Sequence, residues 1–274
     1  MTLRDLFSLA LILPVALTAC GGPVAPEALR VEVIERYPHD PGAFTQGLVW
    51  NGSTLYESTG LMGFSTLREV ELASGEVIRS LALDDAIFGE GLTQFGDELI
   101  QLTFRSSVAL VYDAATFDLV DTHGYVGEGW GLTHDGSHLI MTNGGTELIF
   151  RDPETFDLIS SVVVTANGTP VDDVNELEFV DGFVYANVWT EDLILKIDPD
   201  TGVVVAVIDA SGLLTPEEAA SANVLNGIAY LPESGHFLIT GKLWPWLFEV
   251  RFVPAGESPT NGMVLGGSPS NQGR

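Results

Sequence analysis

One short pattern returns five times along this chain, and it limits the fold more than any other feature. Gln46-Gly47-Leu48, Glu90-Gly91-Leu92, Trp130-Gly131-Leu132, Asn175-Glu176-Leu177 and Asn226-Gly227-Ile228 follow at intervals of 44, 40, 45 and 51 residues, counted on the middle residue. A period of about 40–50 residues, with four short strands per unit, marks sheets arrayed around an axis. The expectation is an all-β fold, a five-bladed β-propeller with four-stranded antiparallel blades. The first residue of the pattern changes between copies (Gln, Glu, Trp, Asn, Asn) while its surroundings stay alike. These five positions are expected to converge at one end of the central channel, with Glu90 carrying the chemistry.

Strands and turns can be read within each unit. The first unit runs Phe44 to Trp50, Thr54 to Ser58, Thr66 to Leu72 and Val77 to Leu83, with hairpin dipeptides at Asn51-Gly52 and Ser74-Gly75. The second has 91–95, 98–104, 108–113 and 119–124; the third 131–134, 138–142, 147–152 and 158–165. The fourth has 177–180, 183–189, 193–198 and 203–209. The fifth offers only three strands, 228–231, 236–241 and 247–252. Its missing outer strand is expected from the alternating segment 30–37, which closes the last blade and leaves no open edge. The domain is thus 30–253. Residues 211–223 read as one helical insert with Thr215 as N-cap and Pro216 at the first helical position. Residues 254–274, rich in Gly, Pro and Ser, read as a disordered tail.

Charge and cysteine usage narrow the function. A net charge of −27 argues against a nucleic-acid partner, where lysine and arginine must replace counterions. It fits a self-repelling acidic surface, and a closed ring has no need of a partner subunit, so a monomer is expected. The chain has two lysines, and one of them, Lys242, stands near Trp244 and Trp246. Cys20 is the single cysteine, which rules out an internal disulfide framework and a cysteine nucleophile in the folded domain. Residues 1–19 carry Arg4, an apolar run and a small-residue ending, the pattern of a secretory signal. Leu17-Thr18-Ala19-Cys20 resembles the bacterial lipobox. That implies a lipidated Cys20, a tether over 20–29 and an exported lipoprotein held to a membrane at the cell envelope. Gly21 in place of an aspartate favours the outer membrane.

Longer motifs carry a more specific likeness. Pro38-His39-Asp40-Pro41-Gly42-Ala43-Phe44-Thr45-Gln46-Gly47-Leu48, Gly89-Glu90-Gly91-Leu92 and Gly129-Trp130-Gly131-Leu132-Thr133-His134-Asp135-Gly136 are three of them. Val174-Asn175-Glu176-Leu177-Glu178, Leu225-Asn226-Gly227-Ile228-Ala229-Tyr230 and Thr240-Gly241-Lys242-Leu243-Trp244-Pro245 complete the set. Together they resemble glutaminyl-peptide cyclotransferases of the plant and bacterial propeller type, over roughly residues 31–253. The resemblance implies a five-bladed propeller that converts the N-terminal glutamine of a peptide or protein to pyroglutamate and ammonia, with no metal or other cofactor. It implies Phe44, Gln46, Phe88, Glu90, Trp130, Asn175, Trp189 and Lys242 as site residues. One departure is Phe104, where the family usually carries tryptophan; the apolar wall is kept and an indole N–H is lost.

The residue types fit that chemistry. The substrate's own amine attacks its own amide, so the protein supplies a proton shuttle rather than a nucleophile. Glu90, its pKa raised by aromatic walls, can serve as that shuttle. Trp130, Trp189, Phe88 and Phe104 can hold the flexible glutamine in its cyclising shape, and Lys242, Asn175 and Gln46 can polarise or orient the amide. Each also has a structural reading: Glu90 as a loop cap, the phenylalanines as core, Asn175 and Asn226 as turn formers. Asn226 stands evenly between the two. His134 and His138 flank Asp135-Gly136, so they are expected at the surface of a hairpin rather than on a zinc-binding helix. Two other functions compete. One is a calcium-dependent, lactonase-like propeller with Glu90, Asn175 and Asn226 as oxygen ligands; the other is a non-catalytic binding propeller.

Overall fold

A computed structural model describes residues 25–256. The expected signal segment, Cys20 and most of the expected tail lie outside the described residues. The chain opens with β1 (Glu27–Pro38). A first sheet follows as β2 (Thr45–Trp50), β3 (Leu55–Thr59), β4 (Thr66–Val70) and β5 (Val77–Ala82). A second has β6 (Gly89–Phe95), β7 (Glu98–Thr103), β8 (Val108–Asp113) and β9 (Leu119–Gly124). A third has β10 (Leu132–His134), β11 (Leu139–Met141), β12 (Glu147–Arg151) and β13 (Leu158–Val163). A two-stranded ribbon, β14 (Thr165–Ala166) with β15 (Thr169–Pro170), was not legible in the sequence. Then come β16 (Val174–Val180), β17 (Phe183–Val188), β18 (Leu193–Ile197) and β19 (Val204–Asp209), the short helix α1 (Pro216–Ala219), and β20 (Leu225–Leu231), β21 (His236–Gly241) and β22 (Trp246–Pro254).

Within each sheet the strands pair antiparallel in chain order. The first strand of each sheet is innermost. β2 neighbours β6, β6 neighbours β10, β10 neighbours β16, β16 neighbours β20, and β20 returns to β2. Burial follows from this placement. β3 is buried along its whole length, whereas β5 alternates between half-buried and exposed. Strands near the axis have neighbours on both faces and read as apolar runs; peripheral strands face water on one side and alternate. Among the described residues the apolar core is divided into five clusters, each between successive sheets. Tyr56 and Leu67 meet Leu92 and Leu99, for example, and Leu48 and Leu55 meet Ala229 and Leu238.

β1 pairs antiparallel with β22 from Leu29↔Pro254 to Pro38↔Trp246, the outer position expected of the N-terminal strand. Three boundaries are corrected. The strand begins at Glu27, because residues 27–30 also pair in parallel with Ala206–Asp209 of β19; Glu27 to Leu29 therefore belong to the sheet and not to a tether. This second pairing joins the last two four-stranded groups into one eight-stranded sheet. β22 reaches Pro254, one residue into the expected tail. The helical insert shrinks to one turn, in which Thr215 caps Glu218 N–H and Glu218 caps the Thr215 N–H in return.

Candidate active site

Two backbone positions recur in the structure and build the site. The first is a β-bulge near the start of the inner strand. Register slips between Thr45 and Gly47, Gly89 and Leu92, Val174 and Leu177, and Leu225 and Ile228. The bulged segments contain Gln46, Glu90, Asn175 and Asn226, the variable residues of the repeat. A bulge re-aims a side chain that regular pleating would hold in line. The second position lies just past the second strand, and its N–H donates to the carbonyl two residues before the bulged residue. Gly60 donates to Phe44 (2.8 Å), Phe104 to Phe88 (3.0 Å), Trp189 to Asp173 (2.8 Å) and Lys242 to Val224 (2.9 Å). These two bond-linked positions, together with Phe44 and Phe88, gather most of the sequence-predicted site.

Contacts among the side chains define a cup. Phe44 meets Phe88 edge-on with ring centroids 6.2 Å apart, and Phe88 meets Phe104 at 5.8 Å. The ammonium of Lys242 lies 5.0 Å from the Phe44 ring centroid, within cation–π range. Trp130 and Trp189 meet edge-on at 5.9 Å. Phe44, Phe88, Phe104 and Trp130 are half-buried and Trp189 is exposed, so none of them is sealed blade core.

Glu90 is 5% exposed, as is Lys242. The backbone of Glu90 is clamped: Ser58 Oγ donates to its carbonyl, Gln101 Nε2 donates to Ser58 Oγ (2.7 Å), and Gly91 N–H donates to the Trp130 carbonyl (2.7 Å). Its carboxyl group has no hydrogen-bond partner among the described residues. Burial pushes the Glu90 pKa well above the ordinary carboxylate range; the Lys242 charge opposes this and the Glu128 charge adds to it. Burial likewise lowers Lys242 to about 8, against the pull of Glu90. Asn175 and Gln46 are each 2% exposed, and among the described residues their amide nitrogens donate to no protein atom. The buried Asn175 Oδ1 also lacks a partner, and an unpaired buried polar atom is uncommon and calls for an explanation such as a ligand. Asn226 differs, since its Nδ2 donates to the Thr45 carbonyl (3.0 Å) and approaches Gln46 Oε1 (3.4 Å). Its donor ties β20 to β2, which favours the structural side of its two readings.

Three features escaped the sequence. Glu128 occupies the repeat position held by Phe44 and Phe88, accepts from Trp130 Nε1 (3.2 Å) and pairs with Arg105 (2.8 Å), whose guanidinium lies over Phe104. Position within the repeat was the available signal. The second is a buried pair beneath the cup. His39 Nε2 contacts Glu57 (3.0 Å) and Nδ1 the Trp244 carbonyl (2.7 Å), while Thr45 Oγ1 donates to Glu57 (2.7 Å). This pair fastens the Lys242 loop to the Phe44–Gln46 segment. The third is Glu176, fully buried, which accepts from Leu48 N–H (3.2 Å) and Ile228 N–H (2.8 Å). His134 is half-buried against Phe95 (5.2 Å), not at the surface as its hairpin suggested. Among the described residues no cluster of three or more His, Cys, Asp or Glu side chains could hold a metal ion.

Fold and site together define an all-β protein of radially arranged four-stranded sheets, with a buried acid free of hydrogen-bond partners among the described residues, a buried lysine and an aromatic wall at the ends of its inner strands. The family model for glutamine cyclotransferase matches residues 7–252. A glutaminyl-peptide cyclotransferase of Arabidopsis thaliana is 38% identical over 237 residues, covering 85% of this chain and 74% of that protein. The crystal structure of Myxococcus xanthus glutaminyl cyclase superposes with a TM-score of 0.77 at 42% identity, covering 84% of this chain and 99% of that one. The chain belongs to the glutamine cyclotransferase family.

Proposed function

We propose that this protein is a five-bladed β-propeller glutaminyl cyclase. It converts the N-terminal glutamine of peptides and proteins to pyroglutamate, releases ammonia, uses no metal, and relays the proton through Glu90. The blade count is supported by the closed circuit of inner strands and the five intersheet cores. The observation that carries the chemistry is an acid buried without a hydrogen-bond partner, two residues from Phe88 and close enough to a buried lysine to feel its charge, in a member of this family.

The substrate amine must be neutral to attack. As its nitrogen bonds to the side-chain amide carbon, the Glu90 carboxylate takes the amine proton. The amide oxygen gathers negative charge, and Lys242, Asn175 and Gln46 supply donors to it from a site that excludes water. The bond to the amide nitrogen then breaks, and Glu90 returns its proton to the departing NH2, which leaves as ammonia. One carbon–nitrogen bond forms, one breaks, and Glu90 ends as it began. A carboxyl group raised towards neutrality suits both halves of that relay. Phe44, Phe88, Phe104, Trp130 and Trp189 fold the glutamine side chain back upon its amine, supplying the orientation that a flexible chain lacks. The metal-centred alternative has to place a cation beside an ammonium, which would repel it; activity that survives a strong chelator removes that alternative.

The test is ammonia release from a Gln-initiated dipeptide. Glu90→Gln is expected to lose at least ~100-fold in turnover, the usual size of an acid–base contribution, with the far-UV spectrum and melting temperature retained. Near-normal turnover in that variant would remove Glu90 from the role. The same enzyme is an exported lipoprotein, anchored to the outer membrane through Cys20 and active as a monomer. Incorporation of a labelled fatty acid, lost in Cys20→Ser, checks the anchor.

A further inference from the structure

The turn between β3 and β4 exposes three large apolar side chains in succession around one glycine. Leu61 is 37%, Met62 56% and Phe64 76% exposed. Single exposed apolar residues need no explanation, but a cluster on one loop marks a contact surface. Both ends of this loop are fixed to the candidate active site. At its start, Gly60 N–H donates to the Phe44 carbonyl (2.8 Å), and Gly60 lies directly against the Phe88 ring. At its end, Ser65 Oγ accepts from the N–H of Gly89, next to Glu90 (3.0 Å), and donates to the Leu61 carbonyl (2.9 Å). Leu61 itself has φ of 86°, a conformation costly for a branched residue. The flanking bonds hold it there, along with Phe64 N–H donating back to Leu61 (2.9 Å). The apolar trio is thus presented on a braced turn beside the cup.

On the cyclase reading the terminal glutamine occupies the cup. Its carbonyl carries the rest of the peptide, which advances at most ~3.3–3.6 Å per residue and must cross the rim. We infer that the Leu61–Phe64 turn is the subsite for the second and third residues of the substrate, and that it selects peptides with apolar side chains there. This inference rests on the cyclase reading. The net charge of −27 acts in the same direction, against acidic residues at those positions.

Two measurements separate the subsite from the chemistry. Ammonia release from Gln-Phe-amide, Gln-Gly-amide and Gln-Glu-amide tests turnover. Calorimetric binding of the same peptides to Glu90→Gln, which leaves them uncyclised, tests the subsite. Gln-Phe-amide is expected to lead Gln-Gly-amide by about tenfold or more in both measurements, and Phe64→Ser or Met62→Ser to shrink that ratio by about 3–10-fold, as apolar contacts usually do. Both variants are expected to melt like the parent protein, their side chains being in water. Selective binding without any ammonia release upholds the subsite and overturns the cyclase reading. Ammonia release with a ratio near one, or a ratio that neither substitution alters, overturns the subsite. Vesicle co-sedimentation abolished by Phe64→Ser, with peptide selectivity unchanged, assigns the turn to a lipid surface and overturns it as well.

Discussion

Gly60→Ala presses on the aromatic wall and, more lightly, on the stem of Gln46. A methyl carbon at Gly60 would lie 2.3 Å from Cε1 and 2.6 Å from Cζ of Phe88, and 3.1 Å from Cγ of Gln46. Carbon atoms settle at about 3.5–4.0 Å, so the Phe88 ring must retreat by roughly 1 Å or more. The atoms in the way are the far end of a side chain, so the ring moves and the backbone stays. Gly60 is not among the residues with positive φ, so alanine takes its backbone shape without strain. Overpacking costs about 1–3 kcal/mol, and the stiffer unfolded chain offsets about 0.4–1 kcal/mol of that. A net loss of about 1–2 kcal/mol leaves the protein folded. Catalysis is expected to suffer more, because a misplacement of about 1 Å at a reacting centre can cost about 100-fold.

The assay is kcat/KM for a Gln-initiated dipeptide, beside thermal melts of the same preparations. Gly124→Ala is the control, since a methyl group there meets nothing within 4 Å and the position is remote from the cup. The expected outcome is a loss of about 30–100-fold for Gly60→Ala, by the same positioning argument, and none for the control. If Gly60→Ala stays within threefold of the parent while Phe88 is seen to move, packing of that ring does not position the substrate, and the account of the aromatic wall fails.

Three further outcomes follow from the charges. Lys242, held at about 8 by burial, should lose its proton as pH rises, so kcat should fall on the alkaline side near that value; Lys242→Arg, which stays charged, should abolish this limb, and an unmoved limb would assign it to another group. Glu128 adds to the rise in the Glu90 pKa; Glu128→Gln keeps an acceptor for Trp130 and removes the charge, so the acid limb of the kcat profile should shift to lower pH. Burial alone would drive His39 and Glu57 towards their neutral forms, but each carries the other's counter-charge, so His39 is raised above 6.5 and Glu57 is lowered below 4.5. The stabilisation from His39 is complete below 6.5 and fades as pH rises through its folded value; that from Glu57 is complete above 4.5 and fades as pH falls through its own. Glu57 also faces Arg68 at 3.8 Å, so His39→Ala should cost most between these values, at most about 3–5 kcal/mol for a buried charge deprived of its nearest partner, read from urea unfolding at several pH values. A cost that does not vary with pH would show that the pair is not ionised.

What could be read from the sequence was whatever repeats locally. The sheets were legible because inner strands give apolar runs, peripheral strands alternate, and Asn-Gly or Ser-Gly marks the turns between them. The bulged positions could be found for the same reason, since Gln46, Glu90, Asn175 and Asn226 each open a copy of the pattern. Residues past the second strand were harder, because an aromatic beside a strand end reads as core. Phe104 and Trp189 were reached only through the family resemblance, and Lys242 also through the scarcity of lysine, although each follows its bulged residue by 14 or 16 positions. Contacts between distant copies had no local signature at all. His39 meets the Trp244 carbonyl across 205 residues.

Glu176 explains why the repeat breaks where it does. At three junctions a glycine lets neighbouring inner strands close together: a methyl group on Gly47 would strike Leu92 N, one on Gly91 the Trp130 carbonyl, and one on Gly131 the Asn175 carbonyl. The fourth copy has glutamate in place of that glycine. Its carboxyl group spans the interval instead, taking one N–H from β2 and one from β20, so a side chain does the work that close backbone approach does elsewhere. Each of those N–H groups would cost about 1–3 kcal/mol if left buried and unpaired, which ties the odd glutamate to closure of the ring. Burial, reinforced by Glu178, raises its pKa well above the carboxylate range. Glu90 is raised by burial too, yet the two acids are set apart by their partners. Glu176 has both oxygens engaged by backbone donors and is held as structure, whereas Glu90 has its backbone clamped and its carboxyl unengaged, which is what a group that must take up a proton and give it back requires.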